Sequence, residues 1–287
     1  MRDGKIMSAM AKQDGPPGGP LEALVRRWRA AQSVVVLTGA GISTDSGIPD
    51  FRSPGGRWES YRPVTIQEFR GSEDSRRAYW RYKGETWSLI RAASPNAGHA
   101  ALADLARHGR IDLLVTQNVD GLHERSGFPV DRLVNVHGTD AAVVCLRCGR
   151  REPRESAQRA WESGVSVPAC TCGGPWKPAT ISFGQSLVEE DLDRAFAAAA
   201  SCDLFVAAGT SLVVGPINRM FDLAHDAGAF TAILTASETP YDARAQATSG
   251  ERLHTILPRI AAAVLGADGA PDGPGRGASS RGAGGER

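Results

Sequence analysis

Five short runs of β-branched and aliphatic residues recur along the chain, at Val34 to Leu37, Asp112 to Thr116, Leu133 to Val136, Leu204 to Ala208 and Phe230 to Leu234. They run into glycine-bearing turns and then into helical stretches, and that alternation implies a parallel sheet covered on both faces. The helical stretches carry their own signatures. After Pro95, the run Asn96-Ala97-Gly98-His99-Ala100-Ala101-Leu102-Ala103-Asp104-Leu105 sets apolar residues at helical spacing. With 287 residues, 41% of them apolar, the chain can bury such a core together with a smaller module. The expected fold is α/β, a Rossmann-like doubly wound parallel sheet.

The alternation lapses in four places. Residues 1–20, with Gly15-Pro16-Pro17-Gly18-Gly19-Pro20, and residues 266–287, dominated by Gly, Ala, Pro and Ser, cannot bury apolar surface and are expected to be disordered. That leaves a single catalytic domain over 21–265. Within it, a helical excursion is expected at about 63–92. Between Cys145 and Pro178 the chain turns polar and rich in Arg, Pro and Gly, which reads as an inserted small module over about 140–179.

That module carries four of the five cysteines, as Cys145-Leu146-Arg147-Cys148 and Cys170-Thr171-Cys172. Two tight pairs are expected of a metal site in a reducing compartment. Four thiolates on two short turns make a closed tetrahedral site for one structural Zn2+, with Cys145, Cys148, Cys170 and Cys172 as ligands. Cys202, beside the strand from Leu204, is expected to be a small buried hydrophobe.

Charge narrows the partners. The 33 basic and 32 acidic residues give a net charge of +1, unlike the strongly basic faces that grip phosphate backbones, so no direct nucleic-acid contact is expected. The longest aliphatic run, Val34-Val35-Val36-Leu37, is too short to cross a bilayer, and Met1-Arg2-Asp3-Gly4-Lys5 resembles no signal sequence. A soluble, cytoplasmic protein without a membrane partner is expected.

The candidate chemistry lies where strands end. The first strand leads into Thr38-Gly39-Ala40-Gly41-Ile42-Ser43-Thr44, and a strand entering Gly-x-Gly lets backbone approach a pyrophosphate and aims N–H groups at it. The glycines alone could equally make a tight turn. The third glycine of the dinucleotide fingerprint is missing, and no acidic strand end follows about 20 residues on, which disfavours a conventional dehydrogenase. Gln117-Asn118-Val119-Asp120 follows the strand ending at Val115 and puts three polar side chains in four residues at the carboxyl edge, more than a helix cap needs. His137 stands directly after another strand, with Gly138 beside it, and its imidazole suits general-base work. His123 is the rival for that role and reads as packing or polar support. Gly209-Thr210-Ser211 ends the strand from Leu204.

The loop continuing through Asp45-Ser46-Gly47-Ile48-Pro49-Asp50-Phe51-Arg52-Ser53 resembles the cofactor-binding loop of sirtuins. In the same order follow Gln117-Asn118-Val119-Asp120-Gly121, Val136-His137-Gly138, the cysteine pairs, Phe183-Gly184, Gly209-Thr210-Ser211-Leu212 and Glu238-Thr239-Pro240, so the resemblance spans about residues 25 to 260. It implies an NAD-dependent protein-lysine deacylase, or deacetylase, that consumes NAD as co-substrate and yields nicotinamide, free lysine and O-acyl-ADP-ribose. By the same resemblance His137 is the general base, with Asn118 beside it in the catalytic site. NAD is then held by Gly39, Ala40, Gly41, Ser43, Thr44, Asp50, Phe51 and Arg52 from the first loop, by Gln117, Asn118, Val119 and Asp120, by Gly209, Thr210 and Ser211, and by Thr235 and Ala236. The partners implied are acyl-lysine proteins or peptides. ADP-ribosyl transfer to protein, or NAD sensing without turnover, are the alternatives.

Two departures touch affinity. Gln185 stands where the family commonly has Glu after Phe-Gly, and the asparagine expected after the later strand is replaced around Leu234-Thr235-Ala236. The segment Arg77-Ala78-Tyr79-Trp80-Arg81-Tyr82-Lys83 lacks the Tyr-x-x-Arg pair of sirtuins that prefer acidic acyl groups, and it looks more like class II sirtuins. Neutral acyl-lysine is therefore expected to be cleaved faster than succinyl-lysine, with Arg81 or Lys83 the cations able to reverse that if the helix turned otherwise.

Overall fold

The computed structural model describes residues 19–50 and 61–266. Phe51 and Arg52, both assigned to the cofactor, lie outside the described residues, as do 1–18 and 267–287.

β1 (Val34–Thr38), β2 (Leu113–Thr116), β3 (Leu133–Asn135), β7 (Leu204–Ala208), β8 (Phe230–Leu234) and β9 (Ala247–Ser249) form a six-stranded sheet in the order β3-β2-β1-β7-β8-β9. Every pairing in it is parallel. β1 and β7 are buried at every position. Alternate side chains go to opposite faces. Val34, Val36, Leu204 and Val206 join one apolar cluster with α1 (Pro20–Ala30), α4 (Ala97–Arg107) and α9 (Leu253–Leu265). Val35, Leu37, Phe205 and Ala207 join another with α7 (Glu189–Ser201) and α8 (Arg219–Asp226). The sheet is thus wound on both faces. Strand order reverses between β1 and β7, the switch point where α/β sheets open a crevice at their carboxyl edge.

The second sheet, order β5-β4-β6, is antiparallel and consists of β4 (Gly138–Cys145), β5 (Arg151–Pro153) and β6 (Trp176–Thr180), with α6 (Arg154–Glu162) after β5. α2 (Ile66–Gly71) and α3 (Glu73–Ala92) pack on it through Phe69, Tyr79 and Trp80, which share a cluster with Val143, Cys145, Cys170 and Trp176. The helical excursion and the cysteine segment are therefore one packed unit. Their helices start at clear signals: Thr65 and Glu68 form a capping box for α2, and the Ser72 hydroxyl accepts the Ser75 amide at the head of α3. The chain passes from the large sheet to the small one at His137, between β3 and β4.

Candidate active site and zinc centre

β1 does not lead into an α-helix. It leads into two 3-10 turns, Ala40–Ile42 and Thr44–Ser46. The Gly39 amide donates to the Ala208 carbonyl (3.1 Å) and the Gly41 amide to the Gly209 carbonyl (2.9 Å). These two N–H groups, expected to face a phosphate, are spent on docking the loop against the end of β7. The contact needs glycine on both sides: a Cβ on Gly39 or Gly41 would come within 2.8 Å of Gly209 or Thr210 atoms, and one on Gly209 within 2.5 Å of the Ile42 nitrogen. Gly209 also has φ +67, a conformation natural to glycine. Asn96 supports the loop from below, its Nδ2 donating to the Ile42 carbonyl (2.8 Å) and to Ser46 Oγ (3.0 Å), while its Oδ1 caps α4.

Above this loop lies a cleft of about 790 Å³, large enough for a dinucleotide and part of a second ligand. The structure brings Gly39, Ala40, Gly41, Ser43 and Asp50 of the first loop into its wall. Gln117, Asn118, Val119 and Asp120 after β2, His137 after β3, Gly209, Thr210 and Ser211 after β7, and Thr235 after β8 join them. Thr44 and Ala236 stand apart from that wall. The Thr44 hydroxyl donates to the Gly41 carbonyl (3.1 Å), and Ala236 is exposed, with Ser237 the lining residue at that end.

One end of the cleft holds a hydrogen-bonded triad. Asn118 Nδ2 donates to the Gly39 carbonyl (3.1 Å) and Ser43 Oγ (3.2 Å), and the Ser43 hydroxyl donates to Asp120 Oδ2 (2.8 Å). The Leu122 amide fixes the other Asp120 oxygen at 2.9 Å. Burial raises the Asp120 carboxyl above its ordinary range, against the lowering pull of those two donors. Gln117 turns the other way, its Nε2 donating to Thr210 Oγ1 (2.8 Å) and tying the β2 edge to the β7 edge.

His137 Nδ1 lies 3.0 Å from the Gln117 carbonyl oxygen. A carbonyl only accepts, so Nδ1 carries the hydrogen and Nε2 keeps its lone pair. Burial holds the imidazole below its ordinary value of 6.5, partly offset by the bond to Gln117. A neutral ring with a free lone pair in the cleft is what a general base requires. Gly138 makes the placement possible: it has φ +74, and a Cβ there would sit 2.2 Å from the Ala179 carbonyl oxygen across β6. His123 is buried, its Nε2 2.9 Å from Thr38 Oγ1 and its ring 5.0 Å from that of His99. It supports β1 from within the core, as its position after the motif suggested.

Sequence reasoning weighed Tyr79, Tyr82 and Lys83 on their helix but missed the rest of the wall they belong to, which includes Tyr61, Asp140 and Thr180. The signal was faint: one acid three residues past the histidine. Of the two cations weighed on α3, Arg81 is exposed and Lys83 lines the cleft. The substituted Gln185 closes its own turn, its Oε1 accepting the Ser182 amide at 3.2 Å, and α2 grips the same loop through Ile66 N to the Phe183 carbonyl (3.0 Å) and Gln67 Nε2 to the Gly184 carbonyl (3.0 Å).

The four cysteine sulfurs of the small sheet all lie within 4.8 Å of one another, with Cys145–Cys172 at 3.5 Å and Cys148–Cys170 at 3.8 Å. A zinc ion about 2.3 Å from each of four tetrahedral sulfurs sets them about 3.8 Å apart, so the cluster fits one. Amides of Arg147 and Gly174 point at Cys145 Sγ and Cys172 Sγ, each at 3.4 Å, as suits thiolates. Gly174 also explains how the tighter Cys-x-Cys pair closes: a Cβ there would lie 2.7 Å from Cys145 Sγ and 2.6 Å from Arg147 Cβ. Cys202 is separate and inert, burial pushing its thiol up to about 12.

A family model described as the Sir2 family matches residues 39–216. The chain belongs to the Sir2 family. This Sir2 chain is 42% identical to NAD-dependent protein deacetylase 1 of Bradyrhizobium diazoefficiens, over 74% of its own length and 84% of that protein's. NAD-dependent protein deacylase SRT2 of Arabidopsis thaliana is 34% identical, with 90% and 80% covered. Among solved structures, a Sir2 complex with a p53 peptide and NAD+ superposes with a TM-score of 0.77 at 30% identity, covering 87% of this chain and 98% of that one. A Sir2 homologue bound to NAD gives 0.78 at 30% identity, covering 90% and 98%. No helix among the described residues is long and apolar enough to cross a membrane.

Proposed function

We propose that this Sir2-family protein is a cytoplasmic NAD-dependent protein-lysine deacylase whose general base is His137. The observation that carries the reading is the His137–Gln117 bond, which leaves Nε2 unprotonated in a cleft also lined by Ser43, Asn118 and Asp120. NAD fits this cleft by its chemistry: the Asn118 and Asp120 end suits a carboxamide, Gln117 and Thr210 bridge the middle, and Ser211 and Thr235 meet the adenosine half. When bound, NAD supplies an electrophilic sugar carbon that the acyl oxygen of lysine attacks as nicotinamide leaves. The chain's own work is to seat the carboxamide with Asn118 and Asp120, to hold the first loop closed through Asn96, and to take a ribose hydroxyl proton at His137 Nε2. The acyl-lysine peptide enters between the large sheet and the small zinc-bearing unit, along the Phe183 loop.

The test is release of nicotinamide from NAD with and without an acetyl-lysine peptide. Release that depends on the peptide, with free lysine and O-acyl-ADP-ribose in equal amounts, is the expected result. ADP-ribose transferred to protein would establish the transferase alternative, and binding without turnover the sensing one.

A further inference from the structure

Of the described cleft residues that α3, β4 and β6 contribute, Asp140 is the one acid and Lys83 the one cation. They pair, Lys83 Nζ lying 2.7 Å from Asp140 Oδ2, with the lysine side chain 11% exposed and the aspartate 2%. Two further cations are buried behind this wall, outside the cleft. Arg154 donates from Nη2 to the Lys83 carbonyl (2.9 Å), and Lys177 donates from Nζ to the Pro178 and Thr180 carbonyls. Burial works against the charge on Lys83, Arg154 and Lys177, and the attraction of Asp140 favours it in all three. Glu155, exposed on α6, is the other acid that acts on Arg154. Three buried positive charges thus depend on one buried carboxylate.

The backbone aims that carboxylate at the reacting end of the cleft. The β4–β6 register shifts between Gly138 and Val143, and the Asp140 amide leaves the ladder to donate to the Val119 carbonyl at 2.9 Å. Irregularities of this kind re-aim side chains beside active sites. Val119 stands between Asn118 and Asp120, and His137 is three residues before Asp140, so Asp140 borders the place where base and carboxamide motif meet. Any residue could supply the amide to Val119, and only an acid supplies the charge. Asp120, the other carboxyl of that motif, is held by the Ser43 hydroxyl and the Leu122 amide. Asp140 Oδ1, by contrast, is buried without a partner, so its field is not absorbed by a local donor.

The proposed reaction moves a positive charge through this region. As nicotinamide leaves, it takes the electron pair of the sugar carbon–nitrogen bond and becomes neutral. The acyl oxygen forms the new bond to that carbon with its own lone pair, and the positive charge passes to the oxygen–carbon–nitrogen unit of the acyl-lysine. Uncompensated cations in the wall would oppose that step, and a fixed carboxylate favours it. We propose that Asp140 holds Lys83 and offsets the buried cations so that the acyl-lysine can take up positive charge as nicotinamide leaves, which makes Asp140 a positioning residue of the deacylation. This rests on the deacylase reading and adds to it a group that acts by charge, through Lys83.

The experiment uses the full chain, NAD and one acetyl-lysine peptide, reading initial nicotinamide release, with ADP-ribose binding by calorimetry as a second measurement. Asp140→Asn keeps the shape of the side chain and the amide bond to Val119 and removes the charge. Its kcat should fall about tenfold or more, the scale of one unit charge acting across several ångströms at an effective dielectric of about 20. The KM for peptide and the affinity for ADP-ribose should stay close to the parent's, because the loss is confined to the step that moves charge. Asp140→Asn/Lys83→Met removes one charge of each sign and should recover most of the lost kcat. Should Asp140→Asn fail to bind ADP-ribose, Lys83→Met alone carries the test, with nicotinamide release equal to or above the parent's. A parent-like kcat in Asp140→Asn overturns the inference and leaves the deacylase reading standing. So does a double variant no faster than the single one, or a Lys83→Met variant slower than the parent, either of which would make the pair a tie between elements and nothing more. Absence of peptide-dependent nicotinamide release by the parent overturns both.

Discussion

β1 and β7 are buried at every residue, and their alternate side chains feed two separate apolar clusters, one on each face of the large sheet. β4, the central strand of the small sheet, is buried at only three positions, Asp140, Val143 and Cys145. Around it the protein buries Lys177, Arg154 and Asp140 and gathers four thiols. The large sheet is held by apolar area, which needs no particular partner and tolerates local change. The small one has too little apolar area and relies on specific, mutually dependent groups, so losing one member costs more than its own contacts.

Stripping the zinc is the severest way to break that contrast, since structural zinc sites are worth about 10–16 kcal/mol. Chelation or Cys145→Ser should abolish hydrogen-exchange protection in β4 and β6 while β1 and β7 stay protected, and metal analysis of the intact protein should return about one zinc per chain. Equal loss of protection in both sheets would show that the large one is not self-sufficient. His137→Ala probes the junction between them. Deacylation should fall about 100- to 10,000-fold while ADP-ribose binding, measured by calorimetry, stays close to that of the parent.

A core truncation sharpens the other side of the comparison. Leu37→Ala, in the fully buried β1, should cost about 2–5 kcal/mol of stability in denaturant. The cysteine cluster should still bind its metal at temperatures where the variant is folded. The smallest effect expected is a pH dependence belonging to the large domain. Burial holds His99 down at about 4 and His123 well below 6.5, the latter with His99 as a second cause. Both groups are depressed bases, so the unfolded chain binds protons in acid that the folded one refuses. Their stabilising contribution is present above about 6.5 and drains away as pH falls toward 4. The melting temperature of His99→Gln should fall less steeply across that interval than the parent's.

The same contrast decides what could be read from the sequence. Val34 to Leu37 and Leu204 to Ala208 were legible because a strand buried on both faces leaves an uninterrupted apolar run, and Phe230 to Leu234 departs from that only at Thr231. β9 went unseen, being three residues long with Thr248 and Ser249 in it. β4 to β6 were opaque for another reason. Their order comes from cross-strand and metal contacts, and Pro178 in β6 argues locally against a strand. In the cleft, Asn118, Asp120 and His137 were legible because each follows a strand and must surface at the carboxyl edge. Which of Arg81 and Lys83 faces the cleft was not, since the face a helix turns inward depends on packing partners such as Trp80 against the Trp176 carbonyl. The spent amides of Gly39 and Gly41 were likewise invisible until the end of β7 was in place.

Those glycines also limit how this protein can be rebuilt. Gly39, Gly41 and Gly209 meet backbone to backbone, so the turn at 39–42 and the strand end at 208–210 share one surface with little more than the Thr210 Cβ between them to absorb a misfit. A chimera that takes the first segment from one relative and the second from another joins two halves cut to different templates, and a mismatch of a few tenths of an ångström shifts both ends of the cleft together. The two segments form a single cassette, to be exchanged whole.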